Sequence, residues 1–145
     1  DIQYSATAGA AFEASFQGLA AVALSEGFDH HEVTDAMLDT ILEKVMAART
    51  VEGQIINVNF PECPLSEYRG IMEGTTVSRS MVFRDTYDMI EETEGGKRYM
   101  VHGNHCYEAE EGTDYRALLD GYISVGVVNN VGYPIVPYET IFPGN

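Results

Sequence analysis

The sequence predicts an α/β domain, and three stretches in order predict it. Residues 19–25 (LAAVALS) form a short, continuous apolar run of the kind carried by a strand buried on both faces. From Thr34 onward, Met37, Leu38, Ile41, Leu42, Val45 and Met46 recur at helical spacing, with Glu43 and Lys44 turned to water. Residues 54–60 (QIINVNF) are short and β-branched, and Pro61 and Pro64 stop them. A strand, a helix and a strand joined by short links make the βαβ unit of a sheet with helices packed on it.

The remaining elements follow in chain order. Tyr4-Ser5-Ala6-Thr7 is a polar turn entering a helix over about 6–17, with Ser5 or Thr7 as cap, small residues on its packed face and Gly18 as its stop. Residues 26–31 are a polar connection, the second helix ends near Arg49, and Gly53 punctuates the loop before the second strand. Residues 75–90 and 97–102 read as extended, separated by the acidic, glycine-bearing 91–96. They predict a long hairpin arm, charged at its tip, that cannot bury both faces in a domain this small and is expected to pair with another subunit. An acidic loop at 108–114 leads to a short helix at 115–120, capped by Thr113 or Asp114 and closed by Gly121. Residues 122–128 (YISVGVV) are a last strand, and 129–145, with Pro134, Pro137 and Pro143, are an irregular tail. The chain starts without Met and inside a turn, so an upstream part is expected.

Composition narrows the function classes. At 145 residues, 45% hydrophobic and with 14 glycines, the chain has room for one domain with a real core, which excludes disorder and collagen-like repetition. Eight Lys+Arg against 23 Asp+Glu give a net charge of -15, which excludes a nucleic-acid polymer or an anionic membrane as partner. A single phosphate remains compatible, because backbone amides bind it whatever the net charge. Cys63 and Cys106 have no CxxC spacing, so neither a disulfide framework nor a zinc site is expected, and reduced thiols in a cytoplasmic protein fit them. No apolar run approaches the roughly 18 residues of a membrane span, and no basic signal-peptide start is present.

Several groups are candidates for chemistry. Ser5 and Thr7, beside the free amides of a helix N-terminus, make either a phosphate cradle or a plain N-cap, and spacing alone leaves both open. Asp29-His30-His31-Glu32 carries metal-ligating donors, but adjacent side chains on a strand diverge, which favours a solvated loop. His102, His105 and Cys106 form a second cluster of equally low specificity, expected in a loop after the arm. Glu91-Glu92 and Glu110-Glu111 read as solubilising charges. Arg79 and Arg84 are isolated cations on the arm, suited to an anion or to ion pairs across a subunit interface. Neither a GxSxG elbow nor a P-loop is present.

Four segments, in order, resemble one family. Tyr4–Glu13 (YSATAGAAFE) is similar to the YSGTVxAAxEG segment of the SurE (stationary-phase survival protein) phosphatases. Residues 55–61 (IINVNFP), 112–118 (GTDYRAL) and 121–125 (GYISV) are similar to that family's LNVNxP, GTDxxAL and GYxSxTPL. The resemblance implies a metal-dependent phosphatase acting on nucleoside 5′-monophosphates, a 5′-nucleotidase. It also implies a Rossmann-type three-layer α/β fold with a projecting hairpin and a C-terminal segment exchanged between subunits in a homodimer or homotetramer. The mapping is a core part over 1–74, an arm over 75–106, and a C-terminal helix, strand and tail over 107–145.

In that family a divalent ion, Mg or Mn, is held by an Asp-Asp pair, a Ser and an Asn, all in the N-terminal half. Residues 1–145 resemble the part that follows, so the resemblance implies no catalytic and no metal residue here, and the isolated chain is expected to be inactive. It implies a substrate-binding wall at Ser5, Ala6 and Thr7. Two departures stand out. Ala6 replaces the family's Gly, and at φ > 0 an alanine would cost about 1 kcal/mol or more, so a negative φ is expected. Gly126-Val127-Val128 replaces TPL, so the last strand is expected to end differently. Two other classes compete. One is a non-catalytic oligomerisation or binding module, which requires a sheet closed beside residues 19–25; the other is an acidic metal-binding protein built on the histidines.

Overall fold

A four-stranded sheet with one helix on each face carries the fold, and a separate two-stranded arm projects from it. The computed structural model describes residues 2–48, 50 and 52–130. After a 3-10 turn at Ile2–Tyr4 the elements are α1 (Ala6–Phe16), β1 (Val22–Ser25), α2 (Glu32–Ala47), β2 (Gln54–Asn59), β3 (Gly70–Glu73), β4 (Phe83–Thr93), β5 (Gly96–His105), α3 (Asp114–Leu119) and β6 (Tyr122–Asn129). Sheet order is β1-β2-β6-β3. β1 and β2 are parallel, with Ala23 opposite Asn57; β6 runs antiparallel to β2 and parallel to β3. The predicted βαβ unit is therefore present as β1–α2–β2.

Period-2 alternation sorts the sheet residues between the two faces. Ile56, Val58 and Phe60 from β2 and its exit pack with Ile123 against Val33, Ile41 and Val45 of α2. Ile55, with Ala21 and Ala23, packs against Ala8 and Ala11 of α1. Small residues let α1 lie close on the sheet, and Ser15 pins its last turns: its buried hydroxyl donates to the Gln54 carbonyl at 3.0 Å and accepts from the Gly53 amide at 3.1 Å. Asn57, Asn59, Ser25 and Ser124 share the α1 side by the same alternation. Asn59 Nδ2 donates to Ser124 Oγ at 3.2 Å.

Several expectations are corrected. The first strand covers only Val22–Ser25; Leu19 is 63% exposed, because Gly18, at φ 77, turns the chain out of α1 into an exposed link. β1 is also an edge strand whose neighbour is β2, so among the described residues the sheet is not closed beside 19–25. α2 starts at Glu32, two residues before Thr34, and Met46 in its last turn is 84% exposed instead of joining the stripe. The arm strands begin at Phe83 and not at Thr75. Residues 75–82 stay with the body: Thr76 bridges Thr113, its amide donating to the Gly112 carbonyl at 3.0 Å while the Asp114 amide donates to the Thr76 carbonyl at 2.8 Å.

β3 was not foreseen. Four residues carry too little pattern, and the strand exists because β6 offers it a parallel partner. The last strand runs one residue past Val128, to Asn129. Gly126 in its middle packs so closely on Thr75 that a Cβ there would lie 2.2 Å from the Thr75 carbonyl oxygen. Gly121, at φ 81, makes the turn from α3 into β6 at a point where a Cβ would meet the Glu67 carbonyl at 2.7 Å. The tail from 131 onward, including Pro134, Pro137, Pro143 and the expected exchanged segment, lies outside the described residues.

The arm has two unlike faces. Cross-strand pairs Phe83–His105, Asp85–Gly103, Tyr87–Val101 and Met89–Tyr99 lie on one side, while Arg84–Asn104, Thr86–His102 and Asp88–Met100 lie on the other, until a register shift after Met89. Every arm residue is exposed. At the tip Lys97 pairs with Glu92 at 3.0 Å and Arg98 with Glu91 at 3.3 Å. Exposed pairs of this kind contribute at most about 1 kcal/mol each.

Candidate functional site

A cleft of about 190 Å³ opens where α1 begins and the parallel strands end. β1 and β2 point their C-terminal ends at it, the position at which α/β sheets bind ligands. Ser5 heads one side. Its backbone is extended (φ -70, ψ 123), it caps α1, and its hydroxyl accepts from the Ala8 amide at 3.2 Å. The first intrahelical bond is donated by Gly9 to the Ser5 carbonyl at 2.9 Å, so the Ala6 and Thr7 amides precede the helical ladder and keep the donor character of a helix N-terminus.

The floor is the sheet face that α1 does not reach. Ser25, Asn57 and Asn59 line it. They lie on the α1 side because the alternation that buries Ile55 under α1 carries every second residue to that face. The far wall comes from the connection between β3 and the arm (Ser78, Ser80) and from α3 (Asp114, Tyr115, Leu118).

The far wall is tightly bonded within itself. Asp114 Oδ1 accepts from the amides of Ser78 at 2.8 Å and Tyr115 at 2.7 Å. The hydroxyls of Ser78 and Ser80 both donate to Glu110 Oε2, at 2.7 and 3.1 Å. The Ser78 hydroxyl leads the interactions that hold the Glu110 carboxyl down at about 2, followed by its own backbone amide. Thr113 caps α3 by accepting from the Arg116 amide at 3.3 Å. Tyr115, buried, joins this wall to the root of the arm: its hydroxyl donates to the Cys106 carbonyl and lies 3.3 Å from His105 Nδ1. Burial raises the Tyr115 phenol above its ordinary value, with Cys106 and then Tyr107 adding to the shift. The His105 ring meets Phe83 edge-on at a centroid distance of 4.9 Å and lies tilted by 35° against Tyr107 at 4.7 Å.

Of the predicted site residues, Ser5 lines the cleft. Ala6 and Thr7 are exposed on the first turn of α1 and do not line it with their side chains. No non-glycine residue among those described has positive φ, so Ala6 has the negative φ expected for an alanine in place of glycine. The histidines go to separate carboxylates: His30 to Glu32 at 3.6 Å, His31 to Glu26 at 3.2 Å and His102 to Asp88 at 3.2 Å. Cys63 and Cys106 are free thiols, and burial raises the Cys63 thiol above its ordinary value. Arg79 and Arg84 are exposed and do not line the cleft. Sequence reading missed Asn57, Asn59, Ser78, Ser80 and Asp114. The asparagines had a signal, two amides at period 2 in an otherwise apolar strand; the serines had none, because only the fold brings their loop beside α3.

The cleft residues do not suit a divalent cation by themselves. Asp114 is the one carboxylate lining it, and one of its oxygens already holds two amides, whereas Mg and Mn want several oxygen ligands in a fixed geometry. Among the described residues no three of His, Cys, Asp and Glu gather where they could hold an ion. No helix among them is long and apolar enough to cross a membrane.

A three-layer α/β domain with a polar cleft at the C-terminal strand ends is thus the class that fold and site define. Comparison with known proteins makes it specific. The sequence model of the family described as "Survival protein SurE" matches residues 1–85, and the chain belongs to the SurE family. It is 30% identical over 134 residues to the 5′-nucleotidase SurE of Mesorhizobium japonicum, covering 86% of this chain and 52% of that protein. It is 31% identical over 128 residues to the 5′/3′-nucleotidase SurE of Escherichia coli, covering 86% and 49%. The crystal structure of the SurE protein of Aquifex aeolicus superposes with a TM-score of 0.67 at 26% identity, over 97% of this chain and 56% of the other. The chain therefore spans about half the length of the relatives it matches.

Proposed function

We propose that this chain forms the substrate-side part of a metal-dependent phosphomonoesterase that hydrolyses nucleoside 5′-monophosphates in the cytoplasm. The observation that carries the reading is Ser5: it caps an eleven-residue helix whose first amides head a cleft floored by Asn57 and Asn59, in a chain of the SurE family. Orphan amides, a hydroxyl and the positive end of a helix dipole suit a phosphoryl group. Two relatives are named as nucleotidases, which supports a nucleotide as the substrate.

In this reading Ser5 and the amides of Ala6 and Thr7 orient the phosphoryl group and share its negative charge, while the asparagine amides of the floor supply further donors. Metal dependence, on Mg or Mn, is part of the proposal. The described cleft residues do not by themselves make an ion site. The arm, whose apolar face is exposed, serves with the C-terminal segment as the contact of a homodimer or homotetramer. The competing view, a non-catalytic module, requires a closed sheet beside 19–25, and among the described residues the edge position of β1 counts against it.

Phosphate release from AMP tests the proposal. The full-length protein is expected to release it with Mn, to stop on chelation by EDTA, and to lose at least tenfold in kcat/KM on Ser5→Ala; the 145-residue chain alone is expected to release none. Absence of Mn-dependent release by the full-length protein refutes the reading, and so does Mn-stimulated release by the 145-residue chain alone.

A further inference from the structure

The two ends of the cleft differ in hydrogen-bonding sense, and this difference points to what the alcohol side of the substrate must be. On the far wall the donors are used up internally. The Ser78 and Ser80 hydroxyl protons go to Glu110, the Ser80 amide goes to Ser78 Oγ at 3.1 Å, and the Ser78 and Tyr115 amides go to Asp114 Oδ1. What this wall can still offer is acceptors: the second Asp114 carboxylate oxygen and the lone pairs of Ser80 Oγ. A carboxylate repels a phosphoryl group and attracts hydroxyls, so a ligand in this cleft has its orientation set, with its anion at Ser5 and its donors at Asp114.

We infer that Asp114 and Ser80 form a subsite for the sugar hydroxyls of the substrate, with Glu110 as a positioning residue that takes the Ser80 hydroxyl proton and leaves Ser80 Oγ as an acceptor. The inference rests on the reading that Ser5 takes the phosphoryl group. Three features support hydroxyls as the recognised groups. The polar groups that this wall leaves unused are acceptors, its carboxylate is held by two backbone amides, and the cleft, at about 190 Å³, is below the roughly 300 Å³ of small-molecule pockets, so that it takes part of a nucleotide and not the whole. A charge-assisted bond to a substrate hydroxyl, when removed, changes affinity by about tenfold or more.

The test compares AMP, 2′,3′-dideoxy-AMP and IMP as substrates of the full-length protein, in wild type, Asp114→Asn and Ser80→Ala. Asn keeps the oxygen that accepts from Ser78 and Tyr115, so the wall stays folded while the second acceptor becomes a donor. Wild type is expected to prefer AMP over the dideoxy compound by about tenfold, with the difference in KM. Asp114→Asn is expected to bring that preference to within about twofold, and Ser80→Ala to reduce it part of the way. AMP and IMP should behave alike. A preference that survives both substitutions overturns the inference, as does one that follows the exocyclic amine distinguishing AMP from IMP. Failure of wild type to turn over any of the three would instead remove the phosphomonoester reading, and this inference with it.

Discussion

Replacing Gly126 with alanine places a Cβ 2.2 Å from the Thr75 carbonyl oxygen, 3.1 Å from its hydroxyl and 3.2 Å from its carbonyl carbon. Two of the three are backbone atoms, so no rotamer change relieves the contact. Nor can the strand retreat. β6 lies between β2 and β3, Gly126 is in register with Asn57, and the Thr75 amide is bonded to the Val125 carbonyl at 3.3 Å. Overpacking of this kind costs about 1–3 kcal/mol, and the upper half of that range fits a clash with backbone on an inner strand. The reduced freedom of the unfolded alanine chain returns about 0.4–1 kcal/mol, leaving a net loss of about 1–2.5 kcal/mol. At roughly 3–4 °C per kcal/mol for a chain of this size, Gly126→Ala should lower Tm by about 3–10 °C. Gly9→Ala is the opposing control. Gly9 is inside α1 with nothing within 4 Å of its added Cβ, so it should gain about 0.5–1 kcal/mol and raise Tm by about 2–4 °C. Thermal melts followed by circular dichroism decide it: a Gly126→Ala protein melting within 2 °C of wild type, or two variants shifting in the same direction, would refute the reasoning.

Ser15→Ala should cost about 1–3 kcal/mol in chemical denaturation, because it leaves the buried Gly53 amide and Gln54 carbonyl without the hydroxyl that serves both; a loss under 0.5 kcal/mol would show that water replaces it. The Glu26–His31 pair gives a pH dependence. His31 is raised above 6.5 by Glu26, so its contribution is present below 6.5 and lost as pH rises through the raised value. Glu26 is lowered, first by the Thr34 hydroxyl and then by His31, so its contribution is present above 4.5 and lost as pH falls through the lowered value. An NMR titration of His31 should have its midpoint above 6.5 and move down in Glu26→Gln; an unmoved midpoint would dissolve the pair. On the arm, Tyr87→Glu with Tyr99→Glu should reduce the mass measured by light scattering, while Thr86→Glu on the opposite face should not. Equal effects from both faces would show that the apolar side is not the contact.

Much of the fold was legible because local pattern and tertiary demand agreed. The period of Met37, Leu38, Ile41 and Val45 describes α2, since a helix on a sheet needs one apolar stripe and no more. The stop at Gly121 was readable for the same reason, and the two caps were readable to a pair of candidates each, Ser5 or Thr7 and Thr113 or Asp114, of which the structure selects Ser5 and Thr113. Where sequence reading overreached, neighbours absent from the local pattern decided. Leu19 belongs to an apolar run yet is exposed, because the sheet begins only at Val22. Residues 75–82 are extended yet not part of the arm, because Thr113 and Asp114 hold them to the body.

The class of domain and the family were written in the chain, and Ser5 was marked as a candidate, because hydrophobic period, helix caps and contiguous motifs are properties of adjacent residues. Tertiary structure alone decided the rest of the site. Asn57 and Asn59 line the cleft because the register of β2 turns them to the side that α1 leaves bare, just beyond Ser5. Ser78 and Ser80 come from one side of the arm in sequence, Glu110 and the first residue of α3, Asp114, from the other, and only the meeting of these segments sets acceptors opposite a helix N-terminus. Hydrogen-bond direction depends on three-dimensional partners, and a list of residue types does not contain it.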